Sequence, residues 1–418
     1  MRGLDVAPGW PCQKPFANGA KSAFIKSWWG VLSMANPAHV AKLRDGVEAW
    51  NRWREQNWNV KPDLSGLDLS NEKSFKRTAL WDSATGRINL AKANLGWADM
   101  HGANLRNVGL QEANLVEANL EGANFQGANL NNATLESANL SQANLGDATL
   151  IGANLKSANL DKADLRSAHL SGASLENASL IEADMRSVQA SAADFSGADL
   201  TRADLWTANL SGAQLVATNL EEANLIRADL HKANLKDAIL YSADLRDTNM
   251  LGVNLDHAGV IGIKYERRFM PGKYQGIRGV ESAYGDAIFR RDALDQDYID
   301  TLALRWRRSP MLVVLWLWSL IDYGRSMVRT VWIATLIVAA FGFSYMVNPS
   351  MVELVSSEKT WFSPYYASLI TFTSLGFSNQ VAGHTATGQM LLAAESALGY
   401  FTLGVLLAIL MHKIARRS

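Results

Sequence analysis

Residues 93–120 read ANLGWADMHGANLRNVGLQEANLVEANL, and the five-residue rhythm of that stretch decides the fold of the middle of the chain. Every fifth residue from Leu90 gives Leu95, Met100, Leu105, Leu110, Leu115, Leu120, Phe125 and Leu130, and the series runs without insertion to Leu255 and Val260. Ala190 is its only small member. Two residues before each sits a small residue, usually Ala, as at Ala93, Ala98 and Ala113, with Asn or Asp between, as at Asn94 and Asp99. A period of five fits neither a helix at 3.6 nor a plain strand at 2. It fits a chain that turns a corner every five residues. Strand alternation then points the Leu and the Ala to the same side, four sides close a square coil of about 20 residues, and roughly nine coils stacked at about 4.8 Å make a rod about 40 Å long. Leu fills the axis, Ala fits where the interior is narrow, and Asn and Asp are expected to turn the corners by bonding nearby backbone. Earlier pentads are looser. Leu64 and Leu69 are one residue out of phase with Phe75 and Leu80, and Asp82 to Arg87 reads as a loop.

The A(N/D)LXX motif at this copy number resembles the pentapeptide-repeat family. The resemblance implies a right-handed quadrilateral β-helix, assigned here to residues 61–261, and implies a fold without a function. A solenoid end exposes apolar rungs and needs a cap. In the N-terminal region, residues 1–60, Asn36-Pro37 supplies an N-cap and a first-turn proline. Val40, Leu43, Val47, Trp50 and Trp53 then recur at helical spacing, which predicts one amphipathic capping helix over residues 37–57.

The 418 residues carry 40 basic and 40 acidic side chains, but residues 88–261 hold 21 Asp/Glu against 11 Lys/Arg, a net of −10. The flanks are therefore basic, as suits the cytoplasmic surface of a membrane. Cys12 is the only cysteine, which excludes a disulfide framework and a thiolate metal cluster. Met1 to Lys26 has no apolar run of the signal-peptide kind. No zinc-ligand spacing, nucleophile elbow or Walker loop occurs, so the expectation is a non-enzyme with no cofactor.

Residues 262–310 break the rhythm and read as a linker, helical from about Asp286 to Arg308, with Arg278, Arg290 and Arg291 as candidates to hold a regulatory ligand. Residues 311–324 are apolar but too short to span a bilayer, and their Trp316 and Trp318 suit an interfacial helix. Two long apolar runs follow in residues 325–418: Val328 to Val347, stopped by Asn348-Pro349, and Thr387 to Met411. Arg325 and Arg329 precede the first, and His412, Lys413, Arg416 and Arg417 follow the second. The positive-inside rule then places both termini, and the rod, in the cytoplasm of a cell-membrane protein.

Between the runs, Ser363 to Ser374 is short and semi-apolar, which predicts a re-entrant helix, and a glycine-containing turn follows it. The order of span, short helix, turn and span resembles the two-transmembrane potassium-channel pore family over about residues 326–415. Where that family's filter reads Thr-Val-Gly-Tyr-Gly-Asp, this chain reads Ser374-Leu375-Gly376-Phe377-Ser378-Asn379. Gly376 matches, Ser378 stands for the second glycine, and Asn379 for the acid. The resemblance implies a homotetramer passing monovalent cations, K⁺ or Na⁺, over the carbonyls of Ser374, Leu375, Gly376, Phe377 and Ser378. Thr371, Thr373, Asn379 and Glu395 would support the filter, and Gly399 or Gly404 would bend the second span. No metal site is expected beyond the permeating ions. Expected partners are membrane lipid, further copies of the chain, and a cytoplasmic ligand or protein on the rod, but no nucleic acid. The alternative is a membrane-anchored interaction scaffold whose pore does not conduct.

Overall fold

In a computed structural model, the described residues are 35–70, 75–266, 272–307, 309–311, 313, 318–319, 326–350, 352–354, 360–373, 381–383 and 385–415. The chain forms two compact units, Met1–Tyr298 and Ile299–Ser418.

The first unit is a coil of four pentads per turn. From Asn89↔Gly109 to Asp244↔Lys264, each central Asn or Asp position pairs in parallel with the residue 20 positions on. Each pentad makes three inter-coil bonds, as when Leu95 N–H donates to the Asn114 carbonyl at 2.7 Å, Asn114 N–H donates to the Ala93 carbonyl at 2.9 Å and Trp97 N–H donates to the Val116 carbonyl at 2.9 Å. Each corner is a turn closed by a bond such as Ala93 N–H to the Leu90 carbonyl, 3.0 Å. The inward Leu and Ala are buried throughout. At one place the sizes trade: Ala190 occupies a Leu position and Val188 the neighbouring Ala position, and both are fully buried.

The corners differ from the expectation that Asn and Asp turn them. The left-handed residue is the one just before each Ala, whatever its type: Lys92 at φ 62°, Trp97 at 58°, Glu112 at 58°. A left-handed residue costs about 1–2 kcal/mol, which the three ladder bonds per pentad, one of them donated by the left-handed residue itself, and the buried Leu offset. The Asn and Asp sit on the flat face and brace the start of each turn. The Asn114 Oδ1, for example, accepts the Val116 N–H at 3.1 Å.

At the N-terminal end the capping helix splits in two, α1 (Pro37–Arg44) and α2 (Val47–Gln56). The break is at Gly46, which adopts φ 103° and lies where a Cβ would meet the Ala79 Cβ at 2.8 Å. Helix α2 replaces the missing coil below residues 92–96. Trp50 Nε1 donates to the Asn94 carbonyl at 2.7 Å, and Arg54 Nη2 donates to the Gly96 carbonyl at 3.1 Å. Asn51 imitates a strand: its amide donates to the Lys92 carbonyl at 3.0 Å and accepts the Asn94 N–H at 2.8 Å. The predicted loop from Asp82 to Arg87 is a hairpin tip, with β1 (Trp81–Asp82) antiparallel to β2 (Arg87–Ile88). It belongs to an excursion: Asp63 pairs with Asp99, and Asp68 with Asn104, 36 positions on. The 16 extra residues are three pentads and one, which is the phase slip seen in the sequence.

The rod also runs beyond residue 261. Asn254 pairs with Arg278, and β3 (Gly259–Val260) lies parallel to β4 (Tyr284–Gly285). These partners are 24 and 25 residues apart, so the extra residues hide the coil from a search at period five. Helix α3 (Ala287–Arg305) follows, its first N–H groups at Ile288 and Phe289 bonded to the Asp286 carboxylate at 2.9 Å each. Phe289 and Ala293 join the rod core, with Phe289 edge-on to Tyr265 at 5.1 Å. Much of the predicted linker is thus the last coil and its cap.

The second unit contains α4 (Met327–Val347), β5 (Val352–Leu354), α5 (Ser363–Thr373), β6 (Val381–Gly383) and α6 (Ala386–Ala415). Strands β5 and β6 pair antiparallel, a feature the sequence reading missed. Helix α4 has 21 residues, about 31 Å at 1.5 Å per residue, one bilayer core. Only 17% of the apolar stretch of α4 and 22% of that of α6 is buried within the chain. Both are long and apolar enough to cross a membrane. The predicted interfacial helix at 311–324 lies largely outside the described residues.

Candidate functional site

Helix α5 lies between α4 and α6 and approaches both closely. A Cβ at Gly342 of α4 would meet the Tyr365 Cδ1 at 2.5 Å and Cα at 2.9 Å. A Cβ at Gly399 of α6 would overlap the Phe372 carbonyl group, whose carbon would lie 2.8 Å away and its oxygen nearer still. These glycines set the helix spacing. Ser326 caps α4, accepting the Arg329 N–H at 3.2 Å, and α6 runs unbroken through Gly399 and Gly404. Around Gly404 a Cβ would meet nothing within 4 Å.

Polar groups meet at one point in this apolar unit. Glu395 of α6 is fully buried and accepts hydrogen bonds from the hydroxyls of Tyr345 on α4 and Ser368 on α5. The Ser368 hydroxyl is also 2.8 Å from the Val338 carbonyl of α4. Thr371 is buried on α5, its hydroxyl without a partner among the described residues. Thr373 is exposed and donates back to the Leu369 carbonyl at 2.7 Å. The predicted filter residues Ser374, Leu375, Gly376, Phe377 and Ser378, and Asn379 after them, lie outside the described residues. Below α5, Val331, Val338, Leu369, Phe372, Thr402 and Leu406 are among the residues lining an open apolar cavity of about 300 Å³.

The sequence singled out Glu395 as a charge within an apolar run. It missed Tyr345, Ser368 and Gly342. A hydroxyl in an apolar helix gives no sign of its distant partner, and a helical glycine gives no sign of what approaches it.

On the rod, acids and bases alternate in columns. Arg166 is 2.5 Å from Asp164 and 3.6 Å from Asp184, while Arg186 is 2.6 Å from Asp184 and 3.7 Å from Asp204. The Arg166 hydrogen bond holds the Asp164 carboxyl below its ordinary range. A second column joins Lys162, Glu182, Arg202 and Glu222. Lysines and arginines interrupt the acids in both columns. Of the linker arginines, Arg290 donates to the Ala283 carbonyl at 2.8 Å and so serves the cap.

The pentapeptide-repeat family model matches eight copies, at residues 87–107, 103–142, 128–166, 168–207, 208–247 and 223–258. Among solved structures, HetL, a pentapeptide repeat protein involved in heterocyst differentiation regulation from the cyanobacterium Nostoc sp. strain PCC 7120, is 35% identical, with 43% of this chain and 83% of that one covered and a TM-score of 0.36. Another pentapeptide repeat protein of Nostoc PCC 7120 is 37% identical, covering 29% of this chain and 84% of its own, with a TM-score of 0.17. One from the Arabidopsis thaliana thylakoid lumen is 27% identical, covering 32% and 78%, with a TM-score of 0.18. No curated protein matches the chain. The eight repeat copies make this chain a pentapeptide-repeat protein.

Proposed function

We propose that the chain is one subunit of a homotetrameric cation channel in the cell membrane, with the repeat rod and both termini in the cytoplasm. The observation that carries this reading is the short helix α5 held between two exposed apolar helices, with close approaches at Gly342 and Gly399. A helix of 11 residues is about 16 Å long, half a bilayer core, so it ends at mid-depth. Its C-terminal carbonyls carry partial negative charge and favour a cation there. Ser374 to Ser378 follow directly, and backbone carbonyls of four copies around a closed axis would replace the water of a K⁺ or Na⁺ ion. Irregular backbone at that depth is tolerated only where it lines protein or water.

Purified protein in liposomes loaded with K⁺, Na⁺ or Cs⁺ tests conduction and selectivity together. Flux is expected, and Gly376→Ala lowers it. Absence of flux for every ion rejects the reading, and unchanged flux in Gly376→Ala rejects the filter assignment. The other reading is a membrane-anchored scaffold, favoured by Ser378 in place of the second filter glycine, because serine disfavours the positive φ that glycine allows. A protein that stays monomeric in mild detergent and binds a partner through its rod fits that reading instead.

A further inference from the structure

Glu395 is the only charged residue between Ala386 and Met411. Among the described residues, hydroxyls rather than a cation meet its carboxyl oxygens: Tyr345 from α4 and Ser368 from α5. A buried ionisable group among apolar helices is costly and persists where it does what an apolar side chain does not. The close approaches at Gly342 and Gly399 fix how near α5 lies to its neighbours. Apolar packing is non-directional, so it leaves sliding along a groove weakly opposed. Hydrogen bonds weaken steeply with distance and angle. Here they join α4, through Tyr345 and the Val338 carbonyl, to α5 through Ser368 and to α6 through Glu395.

We propose that Tyr345, Glu395 and Ser368 form a positioning tie that fixes the height of α5 between α4 and α6, and through it the ion preference of the pore. This rests on the channel reading. Ser368 lies mid-helix, and an α-helix is stiff enough to carry a change of height there to its end at Thr373. Proton counting selects the conservative variant. The Ser368 hydroxyl has one proton and faces two acceptors, the carboxyl and the Val338 carbonyl. A glutamine at 395 accepts from Tyr345 through its carbonyl and donates to Ser368 through its amide, which leaves the serine proton for Val338. Glu395→Gln therefore keeps the tie, whereas Glu395→Ala, Ser368→Ala and Tyr345→Phe weaken it.

Two measurements on the full-length protein test this. In liposomes, the K⁺/Na⁺ permeability ratio is expected to shift about fivefold for each hydrogen bond lost, and most in Glu395→Ala, which loses two. Ser368→Ala and Tyr345→Phe shift it in the same direction, and Glu395→Gln stays at the wild-type ratio. In mild detergent, hydrogen exchange of the α5 amides rises in the three weakening variants and not in Glu395→Gln. A wild-type ratio in conducting Ser368→Ala and Tyr345→Phe overturns the proposal, as does unchanged α5 exchange. Equal damage from Gln and Ala at 395 also overturns it, because charge rather than the tie would then matter. A wild-type protein that passes no ion sinks the channel reading, and the exchange measurement still decides whether the tie exists.

Discussion

Trp50→Ala tests whether the rod is a row of nearly independent coils closed at its end by a side-chain cap. Trp50 is fully buried at the first coil, and its indole N–H satisfies the Asn94 carbonyl at 2.7 Å. Truncating a buried tryptophan costs about 3–5 kcal/mol. The orphaned carbonyl would add about 1–3 kcal/mol if it stayed dry, but the opened end admits water. About 4 kcal/mol is the working figure, close to a thousandfold in the local opening equilibrium. In a solenoid each coil touches only its neighbours, so the loss stays at the end where it is made. Hydrogen exchange read by mass spectrometry is the assay. Amides that bond from the first coil to the second, such as those of Leu95 and Met100, are expected to lose two to three orders of magnitude of protection. Amides such as those of Leu180 and Leu200, four and five coils further on, are expected to keep theirs. Unchanged protection at Leu95 would refute the cap. An equal loss along the whole rod would refute the independence of the coils.

Gly399→Ala forces a Cβ into the Phe372 carbonyl group, 2.8 Å from its carbon, so it is expected to destabilise the helical unit by about 3 kcal/mol or more, at or beyond the top of the ~1–3 kcal/mol of ordinary overpacking, in a detergent melt. Gly404→Ala meets nothing within 4 Å and gains about 1 kcal/mol of helix propensity, so equal melting of the two variants would refute the packing argument. In the rod, Val188→Ala and Ala190→Leu should each cost about 1–3 kcal/mol in urea titration, one as a cavity and one as overpacking, and the double variant should recover part of both. Acid should weaken the rod through Asp164 and Asp244. The Arg166 hydrogen bond depresses Asp164, and for Asp244 burial raises the carboxyl but the bonds and charge of Arg246 outweigh it. A depressed carboxyl contributes stability that is present above its unfolded value, about 4, and lost as pH falls through the folded one. Asp164→Asn should accordingly flatten the fall in urea midpoint between neutral pH and pH 3.

The rod was legible in the sequence because its period is local. From Leu95 the next inward position falls five residues on, and Met100 stands there. The same locality explains what was hidden. The last coil pairs Asn254 with Arg278 and Val260 with Gly285, so it keeps the architecture while losing the period, and Ile263, Tyr274 and Ile277 look like linker residues until their burial is seen. The left-handed corners were hidden for a different reason. Lys92, Glu112 and Arg202 are residues that ordinarily avoid positive φ, and they are held there by ladder bonds to the next coil, which belong to the stack and not to the pentad. In the helical unit the order of the logic reverses. Apolar runs announced α4 and α6, but the contacts that give the unit its shape depend on pairs far apart in the chain: Gly342 with Tyr365, Gly399 with Phe372, Tyr345 with Glu395. A rod made of nearest-neighbour contacts tolerates a change at one coil without altering the rest. Three helices joined at one buried carboxyl do not, since Glu395 has a partner on each of the other two and losing it frees both. Functional sensitivity is therefore expected to concentrate in the helical unit at positions that composition alone would pass over, with Ser368 and Tyr345 foremost.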